Sequence, residues 1–458
     1  MNDVPKNDFN MVAQAVPDRD QELAALEDAA GQALEHARSL GADSAEVSAN
    51  AHQGLDVSVR KGEVETLEFS LDHGLAISVY IGNSKGHSSS GDLRSDSIRV
   101  CVEKAIDIAR FTQADKCNGL APVDRLAREF PDFDLWHPRA LDADLTMERA
   151  LACEAAGLGM EGISNSDGAS ASANFGLNVY ANSTGFCGRR DGTRYDQSCV
   201  LIAGEGDTMQ RDYWYDSRRA FDDLEDVEIT GREAARRTLR RLGARQVPTC
   251  EVPVLFAPET ASGIVRHLVA AISGSALYRN STFLKDAAGR QLFPEWVQIS
   301  ERPHIPRAPS SAAFDAEGVA TSDRELIDNG VLTGYVLGSY SARRLGLEST
   351  GNAGGVHNLV VQPGRYSAPE LLRVMGTGLL VTELMGQGVS IVTGDYSRGA
   401  AGFWVENGEI QYPVDEVTVA GNLRDMFLAV EAVGSDVDDR TSIQTGSILV
   451  GKMTVAGS

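Results

Sequence analysis

Between residues 21 and 40 the apolar positions fall at Leu23, Ala24, Leu26, Ala29, Ala33, Leu34 and Ala37, and the run stops at Gly41. A recurrence at three and four residues predicts a helix with one buried stripe, and the glycine is a natural stop. The pattern then shifts to period two. Residues 45–50, 55–62, 64–72 and 74–82 read as strands, with alternation such as Leu55, Val57 and Val59 sending one face inward and the other outward. Helical periodicity returns over 97–111. The order then recurs: a helix at 146–159, strand-like runs at 170–176, 177–185 and 199–206, and a helix at 231–242. A helix–sheet–helix unit used twice accounts for this, by pattern more than by identity. Between the copies, residues 122–142 carry Pro122, Pro131 and Pro138, which suggests a connecting excursion across the surface.

After Cys250 the texture changes. Residues 251–258 have the continuous apolar pattern of a buried strand, one helix follows over 261–273, and the remainder is strand-like and dense in glycine. Asn329-Gly330 and Asn407-Gly408 each sit between strand-like runs, and Asn-Gly favours the positive φ that a type I′ hairpin needs at both central positions. The expected architecture is α+β: a leader over 1–20, an N-terminal domain of helices on an antiparallel sheet over 21–245, and a β-rich C-terminal domain over 246–458.

The chain has 458 residues, too many for one compact core, and 42% are hydrophobic, enough for two. Its net charge of -23 repels phosphate backbones and anionic lipid, so direct nucleic-acid binding is not expected. The first twenty residues lack the cationic start and apolar stretch of a signal peptide, and no window is apolar enough to span a membrane. These features predict a cytoplasmic protein. Six cysteines without a CxxC pair then read as reduced, mostly buried thiols.

Candidate chemistry is sparse. A zinc-peptidase helix needs two imidazoles about one turn apart and a glutamate beside the first. On the 261–273 helix, His267 has Gly263 four residues before it and Ala271 four after, so it reads as a surface or packed histidine. His304 and His357 lie in loops rich in proline or glycine, where either could touch a peptide or a partner. Residues 86–91 place serine beside histidine without the spacing of a nucleophile elbow. Asp436, Asp438 and Asp439 resemble the opening of a calcium loop but lack its glycine and closing glutamate, which leaves an acidic surface turn. The residues alone therefore describe a two-domain protein without a self-contained catalytic centre, with no catalytic residue and no metal ligand assigned.

Several segments together resemble the TldD/PmbA metallopeptidase family. They are Glu317-Gly-Val-Ala-Thr-Ser-Asp323, Leu326-Ile-Asp-Asn-Gly-Val-Leu-Thr-Gly-Tyr335, Ser341-Ala-Arg-Arg-Leu-Gly346, Ser349-Thr-Gly-Asn-Ala-Gly354, Gly402-Phe-Trp-Val-Glu-Asn-Gly408 and Thr418-Val-Ala-Gly-Asn-Leu423. In the N-terminal half, Ala42-Asp-Ser-Ala-Glu-Val47 and the strand pair around Arg60 extend the likeness. The zinc-bearing TldD-type subunits of that family carry His-Glu-x-x-x-His on the helix after the first strand of the second domain, and a cysteine near the C-terminus completes the site. This chain has neither, so it resembles the PmbA (TldE) branch. The resemblance implies a heterodimer in which this chain closes a chamber over the zinc of a TldD-like partner, with small or unfolded peptides as substrate. No cofactor is then expected in this chain, and zinc is expected in the partner. The family also carries a label linking it to DNA gyrase, a link that the acidic charge makes indirect. Glycines admit another backbone closely, which makes Thr350, Gly351, Asn352, Gly354 and Gly355, with His357, the candidate peptide-binding residues; a plain tight turn is the alternative. Two other readings remain open: a homodimeric peptide-binding module without enzymatic activity, and a peptidase active alone through a metal site of another kind.

Overall fold

The computed structural model describes residues 15–457. Of the expected leader, residues 1–14 lie outside the described residues, and Arg19 already begins the first helix. That helix, α1 (Arg19–Ser39), is capped by the Asp18 side chain, which accepts from the Gln21 amide at 3.1 Å. Strands β1 (Ser44–Arg60), β2 (Glu63–Ile81) and β3 (Ser84–Ser90) and helix α2 (Ser95–Phe111) complete a first unit. The four strand-like runs expected over 45–82 merge into the two long strands β1 and β2. Lys61 and Gly62 turn between them with φ of 55° and 76°.

A second unit repeats the order with α3 (Ala143–Leu158), β4 (Ile163–Asn182), β5 (Cys187–Ala203), β6 (Gln210–Arg218) and α4 (Val227–Arg240). The two meanders join edge to edge. β1 pairs antiparallel with β4 from Glu46↔Asn182 to Val59↔Ala169, giving one six-stranded sheet in the order β3-β2-β1-β4-β5-β6. The helices of both units cover the same face. Ala45, Val47 and Ala49 of β1 pack beneath α1 and α2, while Leu55, Val57 and Val59 of the same strand pack beneath α3 and α4. The opposite face is polar: Asn50, Asp56, Asn174, Arg190 and Arg194 all stand on it by strand parity.

The C-terminal half contains β7 (Cys250–Phe256), α5 (Pro258–Ala271), α6 (Gly274–Tyr278), β8 (Ile299–Glu301), β9 (Arg324–Asp328), β10 (Val331–Leu332), α7 (Ser339–Leu345) and β11 (Leu359–Val361). It ends with α8 (Ala368–Met375), β12 (Gly378–Met385), β13 (Asp395–Glu406), β14 (Glu409–Asn422), α9 (Leu423–Leu428), β15 (Val430–Val433), β16 (Ile443–Gln444) and β17 (Ile448–Ala456). One sheet runs β14-β13-β12-β7-β17-β15, and β14 also pairs with β17 through Thr418↔Ala456, so five of its strands close into a ring. The other runs β10-β9-β8-β11-β16. A single apolar cluster that includes Phe256, Leu268, Leu326, Leu359 and Phe427 joins both sheets to α5. Both Asn-Gly turns have positive φ at each central residue: 49° and 74° at Asn329-Gly330, 52° and 77° at Asn407-Gly408.

The connection between the two units differs from the surface excursion its prolines suggested. Ala121, Leu126, Ala127 and Phe133 are buried. The Ala127 amide donates to the Gly318 carbonyl at 2.9 Å and the Ala320 amide to that of Arg125 at 2.9 Å, so the segment adds a strand-like seam to the C-terminal half. Arg343 donates to the carbonyls of Cys117, Gly119 and Leu120. Proline stops local helix pairing, but the apolar residues between the prolines find partners about two hundred positions away. The six cysteines are all free, and Cys101, Cys117, Cys153 and Cys199 are buried. Among the described residues no helix is long and apolar enough to cross a membrane.

Candidate functional site

The loop after α7 bears the candidate residues, and a buried carboxylate holds it. Glu301, at the end of β8, is 2% exposed. Its Oε1 accepts from Asn352 Nδ2 at 2.8 Å and from the His357 amide at 2.7 Å, and its Oε2 from Arg324 Nε at 2.7 Å. Asn352 Oδ1 in turn accepts from Arg324 Nη2 at 2.9 Å. A buried carboxylate with its charge and hydrogen bonds all matched is a strong anchor. Asn352 is therefore engaged from within and is 4% exposed. Thr350 also turns inward: its Oγ1 accepts from the Leu337 amide at 2.8 Å and donates to Asn352 Oδ1 at 2.7 Å.

This loop stands between two cavities. Thr350 and Gly351 border one of about 1010 Å³, together with Arg125, His304 and Arg324. Gly354, Gly355 and His357 border the other, of about 650 Å³. Gly351 has φ +71°, and a Cβ there would meet the Ala320 carbonyl oxygen at 2.7 Å, so it permits close backbone packing. Gly355 has φ +126° with open space where a side chain would stand. The His357 ring spans the two regions, its Nε2 3.1 Å from the Gly351 carbonyl and its Nδ1 3.3 Å from that of Ser310. Burial pulls its pKa below the usual imidazole range, against the Glu301 carboxylate, which favours the charged form.

The smaller cavity assembles segments that no local pattern connects. Arg190 of β5 and Arg219 beyond β6 come from the N-terminal sheet, Phe130 and Phe133 from the connecting segment, and Phe314 and Asp315 from the C-terminal half. Phe314 is packed against Phe130 at 5.9 Å and Phe186 at 5.5 Å between ring centroids. Asp315, 1% exposed, accepts from the amides of Glu317 at 2.9 Å, Val319 at 3.0 Å and Ala353 at 2.8 Å. Burial raises its pKa to about 6, with those amide bonds pulling the other way. Burial also lowers the pKa of Arg190 and of Arg219. Sequence reasoning missed both arginines; strand parity places Arg190 on the polar sheet face, but only the tertiary fold turns that face into a cavity wall.

Comparison with known proteins fits this architecture. Residues 45–109, 136–242 and 249–457 match the models of PmbA/TldA metallopeptidase domain 1, central domain and C-terminal domain, respectively. The chain is 49% identical over 433 residues to metalloprotease PmbA of Escherichia coli O157:H7, covering 94% of this chain and 96% of that one. The chain belongs to the PmbA/TldD metallopeptidase family. The metalloprotease PmbA homolog of Haemophilus influenzae is 48% identical over 435 residues, with 94% and 96% covered. A crystal structure from Bacteroides thetaiotaomicron, described as a candidate modulator of DNA gyrase, superposes with a TM-score of 0.90 at 27% identity, covering 97% of this chain and all of that one.

Membership of this family raises the question of zinc, and α5 is the helix to test. His267 is its one histidine; its ring packs edge-on against Tyr396, with centroids 5.9 Å apart, and burial with the Arg398 and Arg266 charges holds its pKa low. Beside two cations and without a second imidazole or a thiolate, this donor set does not fit a divalent cation. On β17, Lys452 pairs with Glu251 at 2.7 Å and no cysteine is present. Among the described residues no cluster of three His, Cys, Asp or Glu side chains is arranged to hold a metal. Asp436 and Asp438 are engaged otherwise: Asp436 accepts from Ser447 Oγ at 2.7 Å, and Asp438 pairs with Arg440 at 2.8 Å.

Proposed function

We propose that this chain is the PmbA/TldE-type subunit of a two-chain zinc peptidase, supplying chamber wall and substrate-holding surface to a TldD-like partner that carries the zinc. The observation that carries this reading is the helix α5 of a metallopeptidase-family chain, whose single histidine packs on Tyr396 among cations. The polar face of the six-stranded sheet, left bare by its helices, and the two cavities beside residues 349–357 support a role in holding small or unfolded peptides. Backbone atoms near Gly354 and Gly355 can meet an extended peptide at close range, and alternate pockets then supply preference. The site of action is the cytoplasm, and the partners are a TldD-like subunit, or a second copy of this chain, rather than nucleic acid or membrane. The metalloprotease names of its relatives then describe the assembly.

The test is cleavage of an unstructured peptide by the purified chain, alone and mixed with the TldD-type subunit of the same host. Cleavage confined to the mixture is the expected result. Cleavage by this chain alone, abolished by a chelator, would overturn the proposal in favour of a self-sufficient metallopeptidase. Peptide affinity without cleavage in either sample would favour a homodimeric binding module.

A further inference from the structure

The cavity of about 650 Å³ contains two kinds of arginine. Arg19 and Arg189 are neutralised on the helix side of the sheet, Arg19 by Asp191 at 3.0 Å and Arg189 by Glu27 at 2.6 Å. Arg190 and Arg219 form no ion pair among the described residues. Arg190 donates from Nη2 to the Phe314 carbonyl and lies over the Phe314 ring, 4.3 Å from its centroid; its Nε is buried with no hydrogen-bond partner among the described residues. Arg219 donates from Nη1 to the Thr193 carbonyl at 3.0 Å and from Nη2 to the Pro309 carbonyl at 2.5 Å. Each guanidinium thus keeps donors unused while its full charge sits in a partly buried cavity. Asp315, which lines the same cavity, has its oxygens engaged by three backbone amides.

A guanidinium with free donors in a partly desolvated site suits a planar anion that accepts two hydrogen bonds at once. Charge selects the anion further. Arg19, Arg189, Arg190 and Arg219 line the cavity together with Asp20, Asp132, Asp191 and Asp315, so its formal charge is balanced, in a chain of net charge -23. A single negative charge is therefore tolerated better there than a phosphate dianion, and the unused guanidinium donors of Arg190 and Arg219 are what draw it. Part of the wall is apolar, through Leu23, Phe130, Phe133, Phe314 and Val356, and the rim at Gly355 is open to another backbone. A group with one planar negative charge, an extended backbone and an apolar side chain has the complementary chemistry.

Building on the peptide-holding role above, we infer that this cavity captures the free C-terminal carboxylate of a peptide that ends in an apolar residue, with Arg190 and Arg219 as its ligands. The chain then reads the end of a peptide, and the peptide extends from there along the polar face of the sheet. An intact folded protein with a packed C-terminus cannot enter, which gives the assembly a physical reason to favour short or unfolded substrates.

The test uses the purified full-length chain and a fluorescein-tagged hexapeptide of glycine and alanine ending in phenylalanine, as the free acid, as the C-terminal amide, and as an amide with one internal glutamate. Anisotropy is expected to show the free acid binding roughly tenfold or more tightly than either amide, the range of a charge-assisted hydrogen bond. Arg190→Gln and Arg219→Gln should each bring the acid down to the level of its amide, at an unchanged far-UV spectrum. If a glutamine variant does not fold, Arg219→Lys, which keeps the charge and loses the fork, should reduce the acid-to-amide ratio. Equal binding of acid and amide overturns the inference and leaves peptide binding standing. A glutamate-bearing amide as tight as the acid overturns the assignment to the C-terminus. Binding of none of the three probes overturns the inference together with the peptide-holding role, and an acid preference intact in both glutamine variants overturns the choice of residues.

Discussion

Replacing Glu301 by glutamine removes one negative charge from the centre of the network that holds residues 349–357. The amide oxygen of Glu301→Gln can still accept from Asn352 Nδ2 and the His357 amide, but its nitrogen then faces Arg324 Nε, donor against donor, across a contact of 2.7 Å. Arg324 has a side chain 20% exposed, and it keeps its bonds to the Tyr335 carbonyl at 2.8 Å and Asn352 Oδ1 at 2.9 Å. Breaking a buried pair by removing one partner costs about 3–5 kcal/mol, and the surviving bonds put this case near the lower end, at about 3 kcal/mol. For a unit of this size that corresponds to a fall in Tm of roughly 6–12 °C. Differential scanning calorimetry of Glu301→Gln measures it directly. Glu301→Gln combined with Arg324→Leu should recover part of the loss, because the uncompensated cation is removed. A Tm within about 2 °C of the parent would refute the assignment of Glu301 as the anchor of the loop.

Gly351→Ala should lower stability by about 2 kcal/mol, since the new Cβ meets the Ala320 carbonyl oxygen at 2.7 Å in a left-handed residue; Gly355→Ala, with open space around it, should be the milder of the two in urea unfolding and the more harmful to peptide binding. Asp315 gives a pH signature. Its pKa is raised from 3.8 to about 6 in the folded chain, so the folded state holds a proton that the unfolded state has lost between those values. Stability should therefore decline as pH rises from about 4 to 6, by up to about 3 kcal/mol, and level off above; in Asp315→Asn that part of the urea-unfolding profile should be absent. Metal analysis of the purified chain should find well under one zinc per chain, and a chelator should leave its Tm unchanged.

The helices and hairpins were legible because their signals are local. The 3.6-residue stripe of Leu23, Leu26, Ala29 and Ala33 and the Asn-Gly pairs at 329–330 and 407–408 need no distant partner to declare themselves, and their structure agrees. Other features depended on pairings that periodicity does not encode. Period-two alternation in β1 and β4 says which residues share a face, but not that Val59 lies beside Ala169 and joins two meanders into one sheet. The ring closed by β14 and β17, and the burial of Leu126 and Phe133 in a proline-rich connection, likewise rest on contacts between residues far apart in sequence. The candidate loop shows the division most clearly. Its glycines marked residues 349–357 as a place where backbones come close, and the sequence could go no further. Only the packing of Glu301 and Arg324 turned Thr350 and Asn352 inward, and only the meeting of β5 with residues 309–316 left Arg190 and Arg219 facing a cavity with no ion pair among the described residues. Local patterns set which face each residue takes; which faces meet is decided by burial and hydrogen bonding across the whole chain.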